Sequence, residues 1–366
     1  MKLVVNLKLL PSPYQHRALL QTLEAANAAC NRVSQVAWET RTFGQYKLQK
    51  LIYFPIRQEF SLTAQAVVRC IAKVADAYKL DRKSERSFRP HGSIAYDDRI
   101  LRYLKDDRVS IWTMKGRQPI PYACGPRQRE LLAFRQGETD LVLRNQTFYL
   151  NVVVDVDEPP LLEAQDVLGC DLGIVNILAD SDGETYSGGT VNGLRKRHAK
   201  LRARLQSRGT HSSRRLLQKR RRKESRFGRD VNHCISKQVV LKAQRTNRAV
   251  ALEDLQGIRA RVRVRKSQRR QHHSWSFNQL RSFIQYKARL SGVPVVLVDP
   301  AYTSQRCPEC GAVDRANRAS QAWFSCVSCA FAGPADTIAA RNIRVLGRAV
   351  VNLPDAPALV GPGASP

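Results

Sequence analysis

Cys307-Pro308-Glu309-Cys310 and Cys326-Val327-Ser328-Cys329, followed by Ala335-Asp336-Thr337-Ile338-Ala339-Ala340-Arg341-Asn342-Ile343, form the stretch on which the reading of this chain turns. The four cysteines read C-x2-C-x15-C-x2-C, which falls inside zinc-ribbon spacing. A two-residue gap lets both thiolates of a pair point at one ion, and two pairs complete a tetrahedral S4 shell with no open position. A closed shell holds a fold together and does no chemistry. Cys307, Cys310, Cys326 and Cys329 are therefore expected to bind a structural Zn2+. Four unrelated buried cysteines is the bland alternative, and two matching pairs so close together speak against it. The run from Ala335 is helical in character and carries a carboxylate, Asp336, at its start.

Composition bounds the rest. A chain of 366 residues is long enough for two or more domains with real cores. Lys and Arg number 61 against 31 Asp and Glu, a net charge of +30, while 43% of residues are hydrophobic. That combination describes a folded protein with a polyanionic partner. A membrane surface is the competing polyanion. No apolar run approaches the length of a transmembrane helix, and the N-terminus lacks a signal-peptide pattern. The remaining cysteines, Cys30, Cys70, Cys124, Cys170 and Cys234, are scattered singly and read as reduced thiols of a cytoplasmic protein.

Upstream, residues 1–10 alternate apolar and polar as a half-buried strand, ended by Pro11 and Pro13. Residues 14–42 and 61–80 carry apolar residues at helical spacing. Tyr46, Lys47, Lys50, Tyr53 and a run of Arg and Lys up to Arg89 give this helical pair a basic rim, either a nucleic-acid clamp or an ordinary solvated face. From about Ser93 to Asp157 the pattern changes to short strands with turns, a small β-barrel or sandwich that the first strand joins, with the helices inserted between. Glu158-Pro159-Pro160 marks a boundary.

A second unit opens with Val167-Leu168-Gly169-Cys170-Asp171-Leu172-Gly173-Ile174, an apolar strand that meets an acid, then a second strand and the turn at Asp180-Ser181-Asp182-Gly183. One acid after a strand is a weak signal, because such residues commonly cap turns and helices. Between Arg195 and Arg229 come about sixteen Lys or Arg, interleaved with leucines on helices that Gly209 and Thr210 divide in two. Arg220, Arg221, Arg222 and Lys223 form the densest run, and phosphate contact is the reading favoured over a solvated face. Arg248 to Leu255 is another apolar strand that ends in acids. Glu253 and Asp254 alternate faces, so only one of them can share a cleft with Asp171. A further basic stretch from Arg259 to Arg270, with Arg263, Arg265 and Lys266, suits a mobile lid or a loop that grips nucleic acid. A helix at 275–291, a strand at 293–298 and the cysteine ribbon follow, and the residues after Asn352 read as a disordered tail.

Three carboxylates then stand in chain order: Asp171, Glu253 and Asp336. Two-metal phosphodiester chemistry needs such a set, because hard Mg2+ ions prefer oxygen ligands and acids from separate elements can hold two ions about 3.5–4 Å apart. Asp171 is expected to bridge both ions, with Glu253 and Asp336 on one each.

The motifs Gly169 to Ile174, Leu252-Glu253-Asp254-Leu255, Thr303-Ser304-Gln305-Arg306-Cys307-Pro308-Glu309-Cys310-Gly311 and Asp336 to Ile343 together resemble those of the TnpB family, transposon-encoded RNA-guided nucleases held to be ancestral to type V CRISPR effectors. The resemblance runs along the whole chain in order. It implies a wedge β-barrel at 1–10 and 106–160, interrupted by a helical recognition domain at 11–105. A RuvC (ribonuclease-H-like) α/β nuclease domain at 161–302 and 333–350 would follow, with a zinc ribbon for target nucleic acid inserted at 303–332 and a tail at 351–366. It further implies a guide RNA from the transposon end, a double-stranded DNA target beside a short flanking motif, two Mg2+ ions, and a monomer with RNA in the prokaryotic cytoplasm. Family members often carry Asn two residues after the last acid, where this chain has Ile338. Two other classes of function remain open on the residues alone. One is an RNA-guided binder that represses without cutting; the other is a guide-free RuvC-like nuclease or transposase.

Overall fold

In the computed structural model, which describes residues 1–254 and 277–351, the chain divides into two units, Met1–Asp157 and Glu158–Pro366. In the first, strand β1 (Lys2–Leu9) leads into helix α1 (Pro13–Glu39). Ser12 caps that helix: its hydroxyl accepts the Gln15 backbone N–H at 3.3 Å, while the Gln15 side chain accepts from the Ser12 N–H at 3.0 Å. Helices α2 (Gln45–Phe60) and α3 (Ala64–Leu80) follow. The periodicity predicts two helices here, and the structure has a third at 45–60. Its apolar stripe is narrow, only Leu48, Ile52 and Ile56 being buried, and Pro55 sits inside it.

Strands β2 (Ile94–Tyr96), β3 (Leu101–Tyr103), β4 (Arg108–Thr113) and β5 (Gly116–Ala123) come next, then the short helix α4 (Pro126–Leu131), β6 (Arg135–Arg144) and β7 (Thr147–Asp155). All seven strands join one sheet in the order β2-β6-β7-β1-β5-β4-β3. Its two edge strands are separated in sequence only by residues 97–100, so the sheet must roll until its edges meet. The Tyr103 and Thr139 hydroxyls lie 3.0 Å apart, and the Tyr96 hydroxyl donates to the Trp112 carbonyl at 3.2 Å, across the seam. The choice between barrel and sandwich thus resolves as one rolled, nearly closed sheet. A helical domain running to residue 105 is corrected: Ile94 and Tyr96 are buried and pair with β6, so the sheet resumes at Ile94. Side chains on the inner face of β1 (Val5, Leu7, Leu9) share one core with α1 and α3 (Leu19, Leu23, Val67, Ile71).

The second unit is built on a sheet of order β10-β9-β8-β11-β12, made of β8 (Asp166–Asp171), β9 (Asn176–Asp180), β10 (Thr185–Ser187), β11 (Arg248–Glu253) and β12 (Val295–Val298). Strands β8, β11 and β12 run parallel and are covered on both faces, which is why they read as unbroken apolar runs. The basic segment forms three helices, α5 (Gly189–Arg208), α6 (His211–Arg220) and α7 (Lys223–Arg245). Gly209 ends α5 with a left-handed φ of 62° as expected from the sequence, and a second break falls at Arg222, also left-handed at φ 67°. Helix α8 (Phe277–Leu290) packs with α7 over Leu168, Cys170, Val250 and Leu252.

The opposite face carries α9 (Ala335–Val350), set over Val167, Ala249, Ala251 and Val298 through Ile343. The approach is backbone to backbone. A Cβ on Gly169 would lie 2.1 Å from the Ala340 carbonyl oxygen and 2.5 Å from the Arg344 nitrogen. Asp166, at the start of β8, holds Arg348 at 2.6 Å and Arg344 at 2.5 Å, which fixes the helix along the strand. Between β12 and α9 runs the cysteine segment, with the hairpin β13 (Trp323–Ser325) and β14 (Ala332–Pro334). Among the described residues no helix is long and apolar enough to cross a membrane. The expected tail lies outside the described residues.

Gly169→Ala is expected to destabilise the second unit by about 2–3 kcal/mol or more, because the clash is with backbone that cannot turn away. A urea titration followed by circular dichroism, compared with wild type, reads that loss.

Candidate active site and metal centre

Asp171 and Glu253 are the last residues of β8 and β11. These strands are parallel neighbours with Cys170 opposite Leu252, so the two acids form the next rung at the carboxyl end of the sheet. Crevices outside the carboxyl ends of strands are where open α/β sheets place ligands. Alternation decides the face. Val167 and Gly169 lie under α9, and so does Asp171, two residues on; Ala249 and Ala251 lie under α9, and so does Glu253. Asp254 takes the other face and bonds Arg281 of α8 at 2.8 Å. Asp336 is in the first turn of α9, one turn before Ala340, whose carbonyl sits over Gly169. The same close approach of helix and strand brings it toward Asp171. A helix N-terminus also favours a negative charge.

The electrostatics follow from this crowding. Asp171 is pushed up to about 8, first by burial, then by the charges of Glu253 and Asp336. Glu253 is also raised, mainly by burial, against a hydrogen bond from Thr303 and the charge of Arg318. Sequence reasoning gave Thr303, Asn176 and Arg318 no role here. The Thr303 hydroxyl donates to Glu253 Oε1 at 2.5 Å, the Asn176 amide donates to Asp336 Oδ2 at 2.9 Å, and the Arg318 guanidinium lies 3.8 Å from Asp336 Oδ1. Thr303 belongs to the motif Thr303 to Gly311 that leads into the cysteines. Asn176 and Arg318 carry no local signal, since their partners are far along the chain.

The four cysteines converge. Their Sγ atoms all lie within 4.8 Å of one another, with Cys307–Cys329 and Cys310–Cys326 at 3.6 Å. A tetrahedron of Zn–S bonds of about 2.3 Å has edges of about 3.8 Å, so the donor set fits Zn2+. Both pairs use one turn. The N–H of each first cysteine donates to a carbonyl five residues on, Cys307 to Ala312 and Cys326 to Phe331, and the residue after each second cysteine, Gly311 or Ala330, is left-handed. Cys326 is pushed down to about 6, chiefly by the backbone N–H of Cys329. Buried Asn317 ties the two turns: its amide donates to the Gln305 and Ala312 carbonyls at 2.8 and 3.2 Å and accepts from the Val327 N–H at 2.9 Å. Ile338 packs with Cys307, Phe324 and Cys326. Ile338 therefore faces the ribbon's small core. One turn later, Asn342 donates to the Thr303 and Arg306 carbonyls at 2.8 and 2.7 Å, tying α9 to the start of the ribbon.

Arg221, Arg222 and Lys223 are exposed and Arg220 half-buried at the junction of α6 and α7. Arg220 to Arg222 rim a cavity of about 280 Å³ with Arg202, Leu205 and Glu224. Arg263, Arg265 and Lys266 lie outside the described residues.

Two family models match this chain. Residues 151–263 match OrfB_IS605, described as a probable transposase, and residues 277–343 match the Cas12f1-like TNB domain. The first range contains Asp171 and Glu253; the second contains the four cysteines and Asp336. The chain is 30% identical over 220 residues to the CRISPR-associated endodeoxyribonuclease Cas12f1 of Sulfoacidibacillus thermotolerans, covering 55% of this chain and 51% of that protein. It is 35% identical over 129 residues to the TnpB-like protein MJ0751 of Methanocaldococcus jannaschii, 35% of this chain and 46% of the relative. It thus spans about half the length of these curated relatives. A structure of the Cas12f1-sgRNA-target DNA complex is similar in fold, with TM-score 0.53 at 12% identity, over 89% of this chain and 82% of that one. The resemblance to the TnpB family read from the motifs holds in these matches.

Two outcomes are expected. Purified protein should carry one zinc per chain by elemental analysis, and Cys310→Ser should lose it along with the ribbon's protease resistance. Unfolded, an aspartate titrates near 3.9, whereas folded Asp171 keeps its proton to about 8. Between those values the folded chain binds the extra proton, so in chelator its stability falls as pH rises across that window. Asp171→Asn should flatten this slope and raise the melting temperature at neutral pH.

Proposed function

We propose that this chain is an RNA-guided DNA endonuclease whose single site, formed by Asp171, Glu253 and Asp336, cuts DNA that has paired with a guide RNA. The observation that carries the reading is the convergence of the three acids at one end of the sheet, where Asp171 is pushed up to about 8, first by burial and then by the charges of Glu253 and Asp336. An anionic cluster of oxygen donors in a crevice suits hard divalent cations. When bound there, two Mg2+ ions would supply an activated hydroxide and stabilise charge on the leaving oxygen. The chain's own residues set the geometry. Asp171, between the other two acids, would contact both ions, with Glu253 and Asp336 on one each. Thr303 holds Glu253 and Asn176 holds Asp336 in the orientations that face the crevice. Arg318 lends a positive charge that partly offsets the acids.

The rest of the molecule fits the same reading. The rolled sheet of the first unit serves as the wedge barrel and α1 to α3 as the recognition part. The sheet of the second unit serves as the RuvC domain, with the zinc-ribbon segment on target nucleic acid. The net charge of +30 matches a partner that is mostly phosphate. In such a division of labour, base pairing reads sequence while the protein reads a short flanking motif and the shape of the duplex. Arg220 to Lys223 would then contact backbone and not bases.

Expression together with the flanking DNA should yield protein with a bound RNA, identified by sequencing. That complex should cut both strands of a matching DNA target in Mg2+. Asp171→Ala should lower cleavage by at least about a thousandfold and leave DNA binding intact. Target binding without cleavage by wild type would instead indicate a guided repressor. Cleavage that needs no RNA would indicate a guide-free nuclease.

A further inference from the structure

Next to the carboxylates stands a residue that folding alone does not account for. Tyr302 follows β12 and immediately precedes Thr303, whose hydroxyl donates to Glu253 at 2.5 Å. Its φ is 61°, which makes it the only aromatic in the left-handed region among the described residues. That conformation is unfavourable for any residue with a Cβ and is a genuine outlier for a bulky one. Glycine would adopt it without cost. The backbone reason for the turn is plain: the Tyr302 carbonyl accepts from the Gln305 and Arg306 N–H groups at 2.9 and 3.0 Å, which swings Thr303 inward, where it is buried. The Tyr302 side chain stays at the surface. The residue is 53% exposed, and its ring has no hydrogen bond or ring contact among the described residues. A costly conformation is thus kept at a position whose side chain adds nothing to the core, one residue before the threonine that holds Glu253. Strain kept in this way clusters at functional sites.

We propose that Tyr302 is a stacking platform for an unpaired base of the DNA strand beside the phosphate held at the carboxylates. The proposal rests on the nuclease reading for the strand's presence, and the chemistry of the ring supplies the rest. Every base offers a π-face, so an exposed aromatic takes single-stranded nucleic acid without reading its sequence. The chain as a whole carries a net charge of +30, which favours a polyanionic partner. A base fixed by stacking holds its own phosphate in place, so Tyr302 sets where along the strand the phosphate meets the acids. A double helix offers such a face only at its ends. The platform therefore selects melted strand over intact duplex.

The test uses the full chain with its co-purified RNA and a short single-stranded DNA carrying one 2-aminopurine, with Ca2+ in place of Mg2+ so that binding is read without cutting. Stacking on Tyr302 should quench the 2-aminopurine fluorescence. Tyr302→Phe should keep the quench. Tyr302→Gly should abolish it and weaken strand binding by about tenfold, while its melting temperature rises by about 2–4 °C because the left-handed turn is relieved. A quench in Tyr302→Gly equal to wild type would overturn the proposal, as would a fall in its melting temperature, which would assign the ring to packing. The two readings fail separately. Wild type that quenches but does not cut in Mg2+ removes the nuclease assignment and leaves the platform. Wild type and Tyr302→Gly that cut alike, with no quench in either, remove the platform and leave the nuclease.

Discussion

The contact between helix α9 and strand β8 is the constraint on which the second unit depends. At Gly169 no side chain separates the two backbones, and a methyl group there would overlap the Ala340 carbonyl. A helix this close to a strand has its first turn at a fixed height above the strand's end. Asp336 therefore stands near Asp171, although the two are 165 positions apart in the chain. The register is secured at the far end by Asp166 with Arg344 and Arg348, and a second tight approach, Gly347 over Ala251 and Val167, repeats the arrangement one strand across. Close packing of small residues is what converts a sheet and a helix into a site with a defined spacing.

The site so formed is electrostatically uncomfortable. Burial and like charges both oppose ionisation of Asp171, and the stabilising groups around it are few: a hydroxyl on Glu253, an amide on Asp336 and the Arg318 guanidinium. Removing charge from such a cluster relieves the fold, and a divalent cation held there, as proposed, would relieve it too. Under the proposed role, stability and function would pull in opposite directions at these three residues. The ribbon matters to the same balance, because it supplies Arg318 and abuts the start of α9 through Ile338.

Much of this was legible in the chain itself. Strand β1, helices α1 and α3 and the buried parallel strands announce themselves by period or by unbroken apolar runs. The cysteine spacing encodes the ribbon, and the alternation of Glu253 and Asp254 correctly says that they take opposite faces. What escaped has physical reasons. Helix α2 shows the core only three side chains and contains Pro55. The break at Arg222 is left-handed without glycine. The rolling of the first sheet follows from the short link between its edge strands, which no local pattern reports. Thr303, Asn176 and Arg318 act on acids 50, 160 and 18 positions away, and polar residues with such distant partners look like any other surface residues.

The first unit's single core has a consequence for any attempt to exchange its parts. The helices between β1 and β2 look like a cassette dropped into a barrel, since they occupy one continuous insertion. Yet Leu19, Leu23, Val67 and Ile71 are buried in the same cluster as Leu7, Leu150 and Val152 of the sheet. A graft of the helices alone would expose half of that interface and mismatch the other half. Chimaeras built from this scaffold must carry helices and barrel together, so that the shared core moves as one piece.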